Sequence, residues 1–470
     1  MNANKMQFPF ISITIIFIFV LSNTGVYSAT EGIAGTTVLL DDADATQKTD
    51  YHSLSLEDCL ALALEYNPVL SGAKEKIREL VADYQATRSN FFPRLVLVSH
   101  YERTNPDRLS PGGGPSNQPL FKEEALTSVL VKQILFDGQK TYYSTRAAKI
   151  GAEAQKQEAR RTADEVAYTV TEAFYRLIEA KENLRVAREA LQQRQDFTTL
   201  TEAFFKAGKV TQLDYFRARS QVSDAEQAEA EAGNAVSLAR EILARTIGLK
   251  EKAPVDIIGS LPQKFTPAVH IDSLWQEALK NNPEIKRLDL EIEQSQNQIR
   301  AARGAYFPEI SLQGDVGVRH QDPGGTKGEW LGGVFLEFPF FEGGLTRAQV
   351  AKATSQYLQS VERKRDSLDG LKVDLAAAWR DQENARQGVV TTRQTVLSNE
   401  EAYASAQALY RNGKAIGLDV LQAQVDLTGS RFNSIKYAVA YEIARARIRQ
   451  IIGSRSSESY QQSNMEDQNK

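Results

Sequence analysis

The sequence is short of the residues from which catalytic and metal sites are most often built. It holds a single cysteine, Cys59, which excludes an intrachain disulfide and a thiolate zinc cluster. Cys59 lies in the apolar run Cys59-Leu60-Ala61-Leu62, the setting of a buried core thiol, and it does not follow the N-terminal apolar stretch as a lipid-bearing cysteine would. The four histidines, His52, His100, His270 and His320, are scattered. HExxH, Gly-x-Ser-x-Gly and phosphate-binding loops are missing, which opposes a secreted enzyme and points to no cofactor and no metal. Neither sign of charge dominates: 56 basic residues face 60 acidic ones, net −4, with no block of like charge. That opposes nucleic acid as a partner. A length of 470 residues leaves room for several domains and decides nothing alone.

Long hydrophobic runs are missing as well. Beyond the N-terminus no stretch approaches ~18 consecutive apolar residues, so a mature chain that spans a membrane does so as strands. At the N-terminus, Lys5, the apolar run Phe10 to Leu21 and the small-residue stretch Val26-Tyr27-Ser28-Ala29 read as a secretory signal over residues 1–28, cleaved after Ser28 or Ala29. The run is shorter than the ~20 residues a spanning helix needs; an uncleaved anchor is the alternative. Residues 29–53 form a polar linker, and 454–470 a polar tail of disordered composition.

Proline is absent from residues 140–253 and again from 340 to the end; all fourteen lie elsewhere. A continuous helix from Lys140 to Ala207 would extend about 100 Å at ~1.5 Å per residue, far beyond the width of a compact domain. Its apolar positions Ala159, Ala163, Val166, Val170, Ala173, Leu177, Ala180, Leu184, Ala187 and Leu191 alternate steps of four and three, a coiled-coil seam. Ala167, Phe174, Ile178, Val186 and Ala190 form a second stripe beside it, as a helix in the wall of a tube needs for two neighbours.

What is present is a duplication. Asn67-Pro68 and Phe92-Pro93 recur as Asn282-Pro283 and Phe307-Pro308, at an offset of 215. Phe136-Asp137-Gly138, Gly208-Lys209, Leu213-Asp214 and Ile247-Gly248 recur as Phe341-Glu342-Gly343, Gly413-Lys414, Leu418-Asp419 and Ile452-Gly453, at 205. The ten-residue difference falls between Pro93 and Phe136, where the first copy carries a Pro/Gly/Ser-rich stretch suited to a surface loop. The first repeat spans 54–250: a helix ~55–91 bent at Asn-Pro and opened by a Ser55/Asp58 capping box, a hairpin ~94–136, then a long helix pair. A linker covers 251–269. The second repeat spans 270–453, with a helix ~271–306, a hairpin ~309–341 and a second long pair. Gly208 and Gly413 suit helical hairpin tips.

In the second hairpin Ile310, Leu312, Val316 and Val318 alternate with Ser311, Gln313, Asp315 and Arg319, and the partner run Trp330 to Phe340 sets Trp330, Val334, Leu336 and Phe338 opposite Glu337. Placing Asp315 against lipid would cost at most ~2 to 4 kcal/mol near the midplane, with basic residues as the upper guide, so Ser311, Gln313, Asp315, Arg319 and Glu337 are expected to face a lumen. Trp330 and Phe338 near the ends of the run resemble interfacial girdles. Two hairpins give four strands, too few to close a barrel. Two chains would supply eight strands and three twelve.

The duplicated Asn-Pro and Phe-Pro steps, the Phe-Asp-Gly and Phe-Glu-Gly-Gly strand exits, and Tyr410-Arg411-Asn412-Gly413 leading to Leu418-Asp419-Val420-Leu421 resemble the TolC-type outer-membrane efflux protein family over residues ~54 to 453. The resemblance implies a mainly α chain with a transmembrane β-barrel portion. Three copies would form a twelve-stranded barrel in the outer membrane of a Gram-negative bacterium and an α-helical tunnel across the periplasm. It implies a duct for efflux or type I secretion without chemistry of its own. The partners it implies are lipid, a periplasmic adaptor at the tips Gly208, Lys209, Val210, Gly413, Lys414 and Ala415, and an inner-membrane pump of the resistance-nodulation-division, ABC or major facilitator type. Asp419, Tyr410 and Asp214 match a periplasmic gate network, in which an Asp ring would favour cations. Ala415 and Gln422 depart from that pattern, standing where an arginine tie and a second aspartate ring would sit. Asp214 and Asp419 also suit a plain carboxylate at a helix start, and Lys209 and Lys414 plain solvated charges. Met465 alone after the signal gives little support to a copper route. A soluble periplasmic coiled-coil scaffold is the rival reading, opposed by the matched strand runs.

Overall fold

The computed structural model describes residues 54–103, 123–249, 255–262, 264–267, 269–322 and 324–453. The expected signal, the N-terminal linker, the polar tail and the loop of the first hairpin lie outside these residues. In chain order the elements are α1 (Leu56–Tyr66), α2 (Pro68–Ser89), β1 (Arg94–Arg103), β2 (Glu123–Phe136), α3 (Lys140–Lys206), α4 (Gln212–Ile247), α5 (Ile271–Asn281), α6 (Pro283–Gly304), β3 (Glu309–Asp322), β4 (Gly325–Glu337), α7 (Leu345–Arg411) and α8 (Gly417–Ile452). Each half thus repeats a bent helix, a hairpin and a long helix pair.

The start signals work as their chemistry dictates. Ser55 and Asp58 form the capping box at α1: the Asp58 N–H donates to Ser55 Oγ and Asp58 Oδ2 accepts from the Ser55 N–H at 2.9 Å. The hydrogen bonds from Ser55 hold the Asp58 carboxyl below the ordinary carboxylate range. Cys59 on the next turn is fully buried, and burial pushes its thiol up to about 12, which leaves it unreactive.

The Asn-Pro step does more than bend a helix. Asn67 Oδ1 accepts from the N–H groups of Val69 and Leu70 at the start of α2, while its Nδ2 donates to the Thr246 carbonyl at 2.8 Å, near the end of α4. Asn282 repeats the arrangement on Glu284, Ile285 and the Ile451 carbonyl at 2.7 Å. One amide therefore caps a helix that begins and holds down a helix that ends, 179 and 169 residues away in sequence. Proline at the first helical position has no N–H to satisfy, so the cap serves the two donors that follow it.

The long helices α3 and α7 each run 67 residues without a break, about 100 Å at ~1.5 Å per residue. Both seams read from α3 are inside: Ala159, Val170 and Leu177 are fully buried on the first, and Phe174, Ile178 and Val186 are buried on the second. α3 packs on α2, α4, α6 and α8, and α7 on α6 and α8. Two further cores sit where the short helices meet the long ones. One gathers Cys59, Val170, Leu177 and Leu243, and the other Leu274, Ala278, Leu375 and Ile451.

Part of the segment expected as a linker, from Val255 to Ile257, is packed. Leu54 pairs with Ile257 in a parallel bridge, Val255 and Ile257 are buried, and Lys181 donates to the Ile257 carbonyl while pairing with Asp256. The alternation of apolar Val255 and Ile257 with Asp256, present in the sequence, is what lets this strap lie flat across the helices.

β1 to β4 form one antiparallel sheet in chain order, so β1 and β4 are its edges. β4 begins at Gly325, which sets Trp330 five residues inside the strand rather than at its start. Phe338 lies one residue past its end. Among the described residues no helix is long and apolar enough to cross a membrane.

Asn282→Ala should lower the unfolding free energy by about 2 to 4 kcal/mol, the sum of a lost N-cap and a buried carbonyl left without its donor. Asn67→Ala should cost a similar amount. Denaturant melts of detergent-solubilised protein followed by circular dichroism measure both.

Candidate channel faces and tunnel tips

Strand register decides which side chains share a face. Val316 pairs with Val129 and Trp330, and Val129 with Leu97, so these four stand together on one face with Leu95, Val131, Leu312, Val334 and Leu336. This face is apolar and bare: Leu97 is 70% and Trp330 81% exposed. Leaving so many large apolar groups in water is unfavourable at roughly 25 cal/mol per Å2, and the continuous band marks a surface made for another environment.

The opposite face carries Ser311, Gln313, Asp315, Arg319 and Glu337, as their alternation predicts. Arg319 is its organising group. It donates to Glu124 of β2 at 2.6 Å and to both carboxylate oxygens of Glu329 of β4 at 2.9 Å, tying three strands. Gln321 adds a bond to Glu124. Lower down, Gln313 donates to the buried Ser311 hydroxyl, and Lys132 pairs with Glu309 at 3.1 Å beside the like-charged Glu337 opposite. The face is not purely polar, because Leu126, Leu130, Leu331 and Phe335 share it by register. Glu124 and Glu329 were absent from the sequence-read set; alternation along β2 and β4 places them, but only pairing across strands shows that they meet Arg319.

Where the strands leave the sheet, a carboxylate starts each long helix. Asp137 Oδ2 accepts from the Thr141 N–H and hydroxyl at the start of α3, and Glu342 accepts from Thr346 at the start of α7. Exposed rings crowd this level: Phe91, Phe92, Tyr306, Phe307, Phe338, Phe340 and Phe341.

At the far end, Gly208 and Gly413 turn the hairpins, both at φ +67, and each is followed by a lysine N–H that bonds back to a carbonyl five residues earlier. Lys209 reaches over the Phe204 ring, Val210 packs inward with Ala415, and Lys414 is exposed. Asp214 is the third residue of α4 and accepts from the Thr211 N–H and hydroxyl. Asp419 does the same for the Ile416 N–H at the start of α8, without a hydroxyl partner because residue 416 is isoleucine. Each carboxylate is thus held by its own helix start, the plain reading of the two.

Tyr410 is placed differently from the two aspartates. It is 3% exposed, wedged between Phe197 and Phe204 of α3 at ring-centroid distances of 5.1 and 5.6 Å, with its hydroxyl 3.4 Å from Thr201 Oγ1. It locks the second hairpin to the first. Arg431 of α8 fastens the same seam higher up through Glu189 of α3 and Glu400 of α7. Phe197 and Thr201 were not singled out in the sequence, where they read as ordinary core positions of a long helix.

Tyr410→Ala should destabilise the chain by about 3 to 5 kcal/mol, as for a buried aromatic, and Tyr410→Phe by only about 0.5 to 1.5, the net worth of one hydrogen bond. Urea melts of the two variants separate ring from hydroxyl.

The family described as "Outer membrane efflux protein" matches residues 59–249 and 274–454, one segment in each repeat. The chain is 23% identical over 413 residues to "Outer membrane efflux protein BepC" of Brucella suis biovar 1 (strain 1330), covering 86% of each. It is similar in fold to the Campylobacter jejuni CmeC outer membrane channel, with a TM-score of 0.76 at 16% identity over 87% of this chain and 88% of that one. It is also similar to the open state of the Neisseria gonorrhoeae MtrE outer membrane channel, with a TM-score of 0.71 at 21% identity over 85% and 88%. The duplicated helix, hairpin and helix-pair unit, matched half by half, places this chain in the outer membrane efflux protein family, as an outer-membrane efflux channel of the TolC-type architecture.

Proposed function

We propose that three copies of the chain close one twelve-stranded barrel and one helical tunnel, and that this duct carries substrate outward from an inner-membrane pump through a periplasmic adaptor. The carrying observation is the four-stranded sheet with two free edges and one bare apolar face. Edge amides and carbonyls left in lipid would be unpaired, so the edges of β1 and β4 call for one another across copies. On this reading the apolar face meets lipid. Trp330 and Phe338 stand eight residues apart on it, roughly 27 Å along a strand at ~3.4 Å per residue. With a tilt of ~40° that becomes about 20 Å along the membrane normal, close to the ~25 Å apolar band of such barrels, with the ring-rich strand exits at the periplasmic border. Ser311, Gln313, Asp315, Arg319 and Glu337 then line the lumen. The tips Gly208, Lys209, Val210, Gly413, Lys414 and Ala415 reach the adaptor.

Asp214 and Asp419 in the three copies surround the tunnel mouth in this arrangement, where a ring of carboxylates attracts cations. The duct supplies no energy; the pump does. Recovery in the outer-membrane fraction, resistant to salt and released by detergent, is the expected outcome of fractionating cells that make the native protein; a soluble periplasmic species would sink the reading in favour of a scaffold. In planar bilayers Asp419→Ala should raise conductance and weaken block by multivalent cations. Unchanged conductance and block would remove Asp419 from the gate and leave it as a helix cap.

A further inference from the structure

The duplication puts an arginine below each Phe-Pro step. Arg303 stands four residues before Phe307, and Arg88, its counterpart at the offset of 215, four residues before Phe92. Both lie in the last turn of a helix that leads to the sheet, and both are exposed. The fold adds to the second of these sites. Gly138 and Gly304 bring two backbones together: a side chain on Gly138 would meet the Gly304 carbonyl oxygen at 2.2 Å, and one on Gly304 would meet Lys140 Cβ at 3.0 Å. Lys140, at the start of α3 and far away in sequence, thereby becomes a neighbour of Arg303. Arg300, almost one turn earlier on α6, lies over the Tyr143 ring at 5.5 Å.

No acid answers these cations. On the same helices Arg287 is paired with Glu284 and Glu291, and Arg146 with Glu293, whereas among the described residues Arg303, Arg300, Lys140 and Arg88 have no carboxylate within ion-pair distance. Asp137, which starts α3, is taken up by the Thr141 N–H and hydroxyl. The cations also face outward. α2, α3 and α6 share a cavity of about 550 Å3 lined on α6 by Gln294, Gln298 and Ala301, so that stripe faces the concave side of the helical wall. Arg303 lies roughly 160° around the helix from Ala301 at ~100° per residue, on the convex side. Tyr306 and Phe307 stand exposed directly above, and beyond them the bare apolar face of the sheet begins with Leu312 and Leu336. Four residues at ~1.5 Å each set Arg303 about 6 Å below Phe307. The headgroup layer of a bilayer is ~5 to 7 Å deep on each side, the difference between a ~30 Å hydrocarbon core and a total of ~40 to 45 Å. Rings at the edge of the hydrocarbon therefore set the cations at the depth of the lipid phosphates.

We propose that Arg303 and Lys140, with Arg300 beside them, bind the phosphate of an anionic phospholipid in the periplasmic leaflet of the outer membrane. Arg88 repeats the contact more weakly below the first hairpin, since Gln85 and Leu345 are the residues that match Arg300 and Lys140 in the other repeat. Arginine suits this ligand because its planar fork donates two parallel N–H groups to phosphate oxygens. Cations, then rings, then a bare apolar face is also the order of groups met along a phospholipid, from phosphate through glycerol to acyl chain, and a free phosphate has no use for the last two. The contact sets the height at which the sheet rides in the bilayer. The proposal rests on the reading that the apolar face of the sheet meets lipid.

Native mass spectrometry of the full-length protein, released from detergent micelles doped with phosphatidylglycerol or with phosphatidylcholine, tests it. The native protein should retain phosphatidylglycerol in preference to phosphatidylcholine. Arg303→Gln with Lys140→Gln should weaken retention of phosphatidylglycerol about 25-fold, at ~5-fold for each cation removed from an anionic surface, and leave phosphatidylcholine as it was. Two controls go with it. Arg303→Lys with Lys140→Arg keeps both charges and should keep the lipid, and Lys372→Gln with Arg393→Gln, which removes two exposed cations elsewhere on α7, should change nothing. Undiminished binding in the first variant, or an equal loss in either control, overturns the proposal. Displacement of the lipid by millimolar inorganic phosphate would assign the cations to a free anion and overturn it as well. If the native protein carries neither lipid, it is the lipid-facing reading of the sheet that fails.

Discussion

Backbone amides and carbonyls cannot be left unpaired in hydrocarbon, and this chain presents two strand edges that its own fold does not pair. Most of the architecture follows from that constraint. A bare apolar face on the sheet demands lipid, lipid demands closed edges, and closed edges demand copies. Once copies are set in a ring, the helices that continue from the strands must form a ring as well. Within the chain α3 already needs two apolar stripes, because it packs on α4 as well as on α6 and α8. The carboxylates at the strand exits, Asp137 and Glu342, join the two regimes by starting a helix at the point where pairing between strands stops.

The seams of α3, the two hairpins, the capping box at Ser55 and the hairpin tips were all legible in the sequence, because each is a local pattern: a period, a cap or a glycine at a left-handed turn. The faces of the second hairpin were legible for the same reason. What stayed hidden depended on contacts between residues far apart in sequence. Asn67 and Asn282 announce a bend, but the donation from each to a distant helix end needs the fold. Arg319 reads as one polar residue of an alternating strand, and its role as a clasp on Glu124 and Glu329 appears only when three strands are side by side. Tyr410 is the instructive case. Its place in the matched motif put it with the gate, and its burial between Phe197 and Phe204 makes it a fastener inside one chain.

Duplication brings economy and also asymmetry. A single gene copy could make a ring from six equal units. A fused pair lets the two joints in that ring diverge, because the joint inside the chain and the joint between chains are encoded by different residues. At the tips the halves themselves have diverged, with Phe197 and Phe204 of α3 standing where α7 has Ala402 and Leu409. Where the strands leave the sheet, Gln139 holds a left-handed conformation that its counterpart Gly344 adopts at less cost, another place where the halves no longer match.

The Asn282 amide also sets a fulcrum. It grips the end of α8 at Ile451, and the rest of that 36-residue helix projects from the grip for about 54 Å at ~1.5 Å per residue. A pivot of about 5° at such an anchor sweeps the far tip through roughly 5 Å, a displacement comparable to the pitch of an α-helix. The geometry is that of a long lever with its bearing at mid-height. Any change of tilt at the Asn-Pro steps would therefore be magnified at the tips, carried by α8 together with the α7 it packs on.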